Sequence, residues 1–200
     1  MLNAEKIADA LARRLFVELE ASGRHVHVTA QQARQLFGHQ LTPQRPLSQP
    51  GQFLAAERVT VVGPKGEFRE VAVLGPERNQ AQVEISLTDA RVLGLQPPVR
   101  LSGDIEGSPG AVLIGSQGRV ELETGVIAAQ RHIHLTPEAA EGFGVKDRQR
   151  VKLQTLTRRG VVFEDVIVRV SPDFAPYAHL DYDEANACGF QKGDLGRILP

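Results

Sequence analysis

A single cysteine, Cys188, stands in 200 residues, so the chain can form no internal disulfide and no cysteine-based zinc site. Any metal it holds must rest on histidine and carboxylate. An excess of charge of either sign is missing as well. With 23 basic against 24 acidic side chains and a formal net charge of −1, no overall field would hold the protein on nucleic-acid phosphates or anionic lipid. Neither partner is expected, and an anionic ligand must be gripped locally. No apolar run reaches the length of a membrane span, and the opening MLNAEKIADALARRLF mixes charges into an amphipathic pattern instead of a secretory h-region. A cytoplasmic location is therefore the expectation. What remains is ordinary globular composition, 42% apolar and 24% charged, in a length that holds one good core or two small ones.

Histidine is scarce too, six in all, yet four of the six fall in two copies of one pattern, Arg24-His25-Val26-His27-Val28-Thr29 and Arg131-His132-Ile133-His134-Leu135-Thr136. Residues two apart on a strand share a face, so each pair aims two imidazoles at one point. The threonine that ends each copy reads as a helix cap: Thr29 with Gln32 forms a capping box for a helix ending near Gly38, and Thr136 is followed by Pro137 at the first helical position. The shared cap makes two structurally related halves a better reading than coincidence.

The remainder is rich in short strands. Residues 59–62 and the stretch through Val71 and Val73 form a predicted hairpin around Gly63–Gly66, and residues 111–114 with 120–122 form another around Gly115–Gly118. Residues 151–155 and 161–170 alternate around Arg158-Arg159-Gly160, and residues 183–189 make a last short helix. Close-spaced strands with Gly and Pro turns point to barrels, giving a mainly β fold with short α-helices. Residues 3–14 fit an amphipathic helix, and the proline-bearing segment 39–56 reads as a long loop over the site.

A zinc site that does chemistry needs a third protein ligand and an open position. His179, in the alternating Tyr177-Ala178-His179-Leu180-Asp181, is the natural partner of His132 and His134. For His25 and His27 the first half offers His39, in a polar loop, or Glu84, whose place between Val83 and Ile85 is equally that of the solvent face of an amphipathic strand. Arg78 stands in a turn; alone it is an ordinary solvated side chain, and beside a metal its planar fork would suit a phosphate. Arg24 and Arg131 should face away from the histidines and hold structure together. Cys188 reads as a small buried hydrophobe, since no base lies near it in sequence. Asp181 or Asp183 is a candidate to orient a ligand imidazole.

RHVHVT, QPGQF, VTVVGPKG, VLGPERNQAQVEIS, TDARVLG, SGDIEGSPG, GVIAAQRHIHLTP, FGVKD and HLDYDEANACG, in that order, resemble the phosphate propanoyltransferases, the phosphotransacylases of propanediol-utilising and related bacterial microcompartments. The likeness runs from about residue 17 onward. It implies two β-barrels capped by helices with an active site between them, one barrel from residues 24–129 and the other from residues 15–23 plus 130–200, with residues 1–14 as a separate N-terminal helix. It further implies two Zn2+ per chain, one on His25, His27 and Glu84 and one on His132, His134 and His179, with Arg78 binding phosphate. Acyl-CoA or coenzyme A and inorganic phosphate are the implied substrates, a microcompartment shell or lumen the implied surroundings, and a homo-oligomer the implied state. The leader before the first histidine strand is shorter than the encapsulation tags of microcompartment members. Two other readings of the same residues are a di-zinc thioester or phosphoester hydrolase and a non-catalytic, zinc-stapled, shell-associated module.

Overall fold

The computed structural model describes residues 15–199; the helix expected over 1–14 lies outside the described residues. The strands of the first half are β1 (Val17–Ser22), β2 (His25–His27), β3 (Pro43–Pro46), β4 (Phe53–Val62), β5 (Glu67–Gly75), β6 (Gln82–Ile85), β7 (Val99–Arg100), β8 (Ala111–Ile114) and β9 (Arg119–Leu122). After them come β10 (Val126–Ala129), β11 (His132–Leu135), β12 (Arg150–Thr155), β13 (Val162–Val170), β14 (Tyr177–Asp181) and β15 (Leu195–Leu199). The helices among the described residues are α1 (Ala30–Phe37), α2 (Leu87–Leu93), α3 (Pro137–Phe143) and α4 (Tyr182–Cys188).

The chain divides into two compact units, one of Gly23–Gln130 and the other of the residues up to Ser22 with those from Arg131 onward. Each has its own apolar core. Leu36, Leu93 and Leu113 are fully buried in the first, as are Leu19, Ile133, Leu135, Leu153 and Leu180 in the second. Each such side chain contributes about 1.5–3 kcal/mol by leaving water.

The second unit is a closed barrel in the order β1-β14-β11-β13-β12-β15. The first unit runs through the same sequence of pairings, β10-β6-β2-β5-β4-β8, with parallel and antiparallel contacts in matching places. Even a left-handed non-glycine residue recurs, Glu70 at φ 54° and Asp165 at φ 55°. What differs is closure. In the barrel β15 pairs with β1, whereas in the other unit β9 takes the edge of β8 and β7 takes the edge of β10, leaving a nine-stranded open sheet. A mainly β fold with short helices is thus what the protein has; of the two expected barrels one closes and the other remains half-formed.

Helices of seven or eight residues are marginal alone, so local signals and packing must hold them. Thr29, Ser86 and Asp181 each close a capping box on α1, α2 and α4, and Thr136 caps α3 ahead of Pro137. The hairpin glycines serve close approach: a Cβ on Gly115 would come within 2.4 Å of the Leu36 carbonyl, and the next turn amide, Gln117 N–H, donates to that same oxygen at 2.8 Å. Segment 39–56 is not one loop. Its residues 43–46 form edge strand β3, tolerant of Pro43 and Pro46 because only one side pairs, and Phe53 begins β4.

Candidate functional site

Strand β2 puts His25 and His27 on one face, and antiparallel β6 places Glu84 directly opposite His25. Strand β11 does the same with His132 and His134, and β14 places His179 opposite His132. The third member of each trio therefore occupies the same register position in its unit, and the donor atoms within each trio all lie within 4.8 Å of one another.

In the first trio, Glu84 Oε1 lies 3.5 Å from His25 Nε2 and 4.0 Å from His27 Nε2. Donors on a tetrahedral ion with bonds of about 2.0–2.2 Å sit about 3.4 Å apart, so little adjustment is needed. The other ring nitrogens face carbonyl oxygens: His25 Nδ1 donates to Gly23 at 2.8 Å and His27 Nδ1 to Leu74 at 3.2 Å. A carbonyl accepts only, so each Nδ1 carries a proton, and in the neutral ring each Nε2 presents its lone pair to the centre. All three side chains are buried. Burial would pull the His25 imidazole down, but the Glu84 carboxylate overcomes it and holds His25 above its ordinary value. Burial, with His25 and Arg78 nearby, holds His27 well below its own. Glu84, which burial would raise, is held well below the usual carboxylate range by the two imidazoles. His39, the alternative third ligand, is exposed beside Glu57 and donates to Gln40 O at 2.7 Å.

In the second trio the ring centroids are 4.6–5.0 Å apart. Among the described residues neither nitrogen of His134 has a hydrogen-bond partner, although the side chain is buried. An unmet buried polar group costs about 1–3 kcal/mol, and a cation accepting its lone pair removes that cost. Burial pushes the imidazole down to about 3, helped by His132 and Arg169, so it stays neutral and available to a cation. Phe174 stacks on it at 4.1 Å between centroids. The carboxylate beside His179 is Glu20, whose Oε2 is 3.3 Å from Nδ1. Asp181, expected as a candidate for that place, caps α4 by accepting from Glu184 N–H at 2.8 Å. Two imidazoles with a carboxylate, and three imidazoles, are both donor sets of zinc centres that keep a position open.

Arg78 follows β5, its amide donating to Val28 O at 2.9 Å and its Nη1 to Ser102 Oγ at 3.0 Å. It lines an open cleft of about 330 Å3 with Pro50, Gly51, Gln52, Gly75 and Pro76. Segment 39–56 therefore does contribute to the surroundings of Arg78, through Pro50–Gln52. Arg24 and Arg131 face away, as expected: Arg24 forks onto Asp89 at 3.0 and 2.7 Å and lies over Phe68, while Arg131 meets Glu184 at 2.8 Å and lies over Phe163. Asp89 and Glu184 hold the same place in their helices, the third residue after the cap.

Sequence reasoning passed over Gln82, Ser102, Glu20 and Phe174. Gln82 had a usable signal, since it lies two residues before Glu84 on one strand and so shares its face.

Two three-donor clusters that could hold metal ions, one with a guanidinium anchored beside it, are an arrangement suited to an anionic reactant. Residues 18–191 match the family described as phosphate propanoyltransferase. A relative of that name from Clostridioides difficile (strain 630) is 48% identical over 197 residues, covering 98% of this chain and 94% of its own. Those from Enterococcus faecalis (strain ATCC 700802 / V583) and Thermotoga maritima are 54% and 52% identical over 184 and 181 residues, covering 91% and 89% of this chain and 87% and 86% of theirs. The chain belongs to the phosphate propanoyltransferase family and is an acyltransferase enzyme. No helix among the described residues is long and apolar enough to cross a membrane.

Proposed function

We propose that the protein is a phosphotransacylase that moves a short acyl group, propanoyl or acetyl, reversibly between coenzyme A and inorganic phosphate. The observation that carries this reading is the Arg78 guanidinium fixed beside a buried cluster of metal-ligand character. His25, His27 and Glu84 would hold one zinc, and His132, His134 and His179 another. When bound, the ions supply Lewis acidity toward the thioester carbonyl and the departing sulfur.

Arg78 offers phosphate a planar fork of N–H donors, which neutralises and orients it. A phosphate oxygen then attacks the thioester carbonyl carbon; the C–O bond forms, the C–S bond breaks, and coenzyme A leaves as a thiolate that is protonated from solvent. No acyl-enzyme is needed. Cys188 is fully buried, its thiol donates to Ala185 O, and burial pushes it up, so it is a poor nucleophile. Hydrolysis of the thioester is the weaker reading, because family membership supports transfer to phosphate and the anchored guanidinium suits that anion. The same family likeness supports self-association and a microcompartment setting, which light scattering on the purified protein and co-purification with shells would test.

The deciding assay follows acyl-CoA loss and acyl phosphate formation against phosphate concentration. Arg78→Ala should raise the KM for phosphate ~10- to 100-fold, from about 1.5–3 kcal/mol for a hydrogen bond to a charged group, and leave the KM for acyl-CoA almost unchanged. An unaltered phosphate KM, or acyl-CoA loss independent of phosphate, refutes the assignment.

A further inference from the structure

A hydroxyl with both lone pairs engaged joins Arg78 to the strand that carries Glu84. Ser102 Oγ accepts from Arg78 Nη1 at 3.0 Å and from Gln82 Nε2 at 2.8 Å. A hydroxyl has two lone pairs and one proton, so with both lone pairs engaged only the proton is left to give. The Gln82 amide that donates to this oxygen also donates to Glu84 Oε1, and so joins the hydroxyl to the carboxylate. The connection thus runs from the guanidinium through the hydroxyl and the Gln82 amide to the carboxylate.

Gln82 fixes the hydroxyl in turn. Its Oε1 accepts from Gly103 N–H at 2.7 Å, which settles the orientation of the amide. Both Nε2 protons are then spent, one on Ser102 Oγ and one on Glu84 Oε1. At 2% exposure this is one of the largest fully buried side chains, and a polar group so placed persists only when every bond is met. The turn from Ser102 to Gly103, which opens the glycine-bearing loop after β7, is thus tied to strand β6 by two hydrogen bonds of the Gln82 amide, one to Ser102 Oγ and one from Gly103 N–H.

We propose that Ser102 is a positioning residue that holds the Arg78 guanidinium in register with Glu84, presenting a tetrahedral oxyanion at a set separation from whatever cation Glu84 binds. The inference rests on Arg78 as the phosphate-binding group. Glu84 keeps its bond from Gln82 when Ser102 is truncated, so the loss falls on the arginine, not on the cluster.

The test compares Ser102→Ala, Ser102→Thr and Arg78→Ala in the metal-loaded protein, by steady-state kinetics, elemental analysis and calorimetric titration with inorganic phosphate. Ser102→Ala should weaken phosphate binding and raise its KM ~10-fold, the lower end for loss of an orienting partner, with the acyl-CoA KM and the metal content unchanged. Ser102→Thr, which keeps the hydroxyl, should restore most of the phosphate affinity. If Arg78→Ala weakens phosphate binding but Ser102→Ala does not, the positioning role is wrong while the reading of Arg78 stands. If Arg78→Ala leaves phosphate untouched, that reading fails and takes this one with it. Loss of metal, or equal weakening of both substrates, in Ser102→Ala would show a structural role only and overturn the proposal.

Discussion

Glu84→Ala removes the carboxylate that faces both imidazoles of the first trio, 3.5 Å from one and 4.0 Å from the other. The cost follows from how metal affinity divides among ligands. Four-ligand zinc sites bind with about 10–16 kcal/mol, so each donor accounts for about 3–4 kcal/mol, a factor of ~10²–10³ in affinity. The methyl side chain cannot recruit a replacement, since Gln82 presents only its donor side to this place and its carbonyl is held by Gly103. The second trio, supplied by β11 and β14 of the other unit, keeps its own donors. Elemental analysis after equilibration in a graded series of chelator-buffered zinc should therefore show two binding steps in the parent protein. In the variant one step moves by two to three decades and the other stays in place. At a fixed free zinc concentration that saturates both proteins, the stabilisation drawn from that site falls by about 3–4 kcal/mol, because ligand-linked stability follows the logarithm of affinity. Two unshifted steps in the variant would refute the assignment of Glu84 as a ligand and leave His25 and His27 as an ordinary buried pair.

Acidity gives a second handle on the first trio. In metal-free protein His25 titrates above 6.5 and Glu84 below 4.5, so the stabilisation from His25 is complete below pH 6.5 and lost as pH rises through its raised value, while that from Glu84 is present above pH 4.5. A cation must displace the His25 proton, so the gap in melting temperature between zinc-loaded and stripped protein should widen from pH 6.5 to 8; a constant or narrowing gap contradicts the ligand role. For the second trio, Phe174→Ala removes the ring stacked on His134, and loss of an aromatic contact worth about 0.5–1.5 kcal/mol should weaken that site ~3- to 10-fold in chelator competition. An unchanged affinity would show that β11 alone orients the imidazole.

Much of this centre was legible in the chain because its parts follow local rules. Period-two spacing put His25 with His27 and His132 with His134, and Thr29 and Thr136 announced the helices behind them. Glu84 was ambiguous for a physical reason: an acid flanked by valine and isoleucine looks the same facing solvent or facing a partner strand, and the deciding fact is the pairing of His25 with Glu84 across β2 and β6. Register between distant strands is set by tertiary packing, which one sequence does not display. The same limit hid Glu20, which reaches His179 because β1 runs parallel to β14. Strand β3 escaped because prolines and polar residues suit an edge strand as well as a loop.

The two units share one run of strand pairings and the same register at the trios, which raises the question of why the third donor is a carboxylate in one and an imidazole in the other. Bonding capacity answers it. A carboxylate has about four acceptor sites, so Glu84 can face the imidazoles and still accept from Gln82, whose amide carries the connection through Ser102 to Arg78. An imidazole that gives its lone pair to a cation has only an N–H left and can accept nothing. His179 suffices in its unit because its Nδ1 faces a carboxylate, Glu20, and needs only a partner to donate to. Glu84→His should consequently separate the two duties of this position. By analogy with His179 it should retain zinc within tenfold of the parent affinity, while its imidazole takes from the Gln82 amide that holds Ser102 one of its two acceptors. The KM for phosphate should then rise toward that of Arg78→Ala although the metal remains. Loss of zinc in Glu84→His comparable to that in Glu84→Ala would show that the equivalence of the two positions does not extend to their chemistry. Retained zinc with an undisturbed phosphate KM would show that the hydrogen-bond chain to Arg78 carries no functional load.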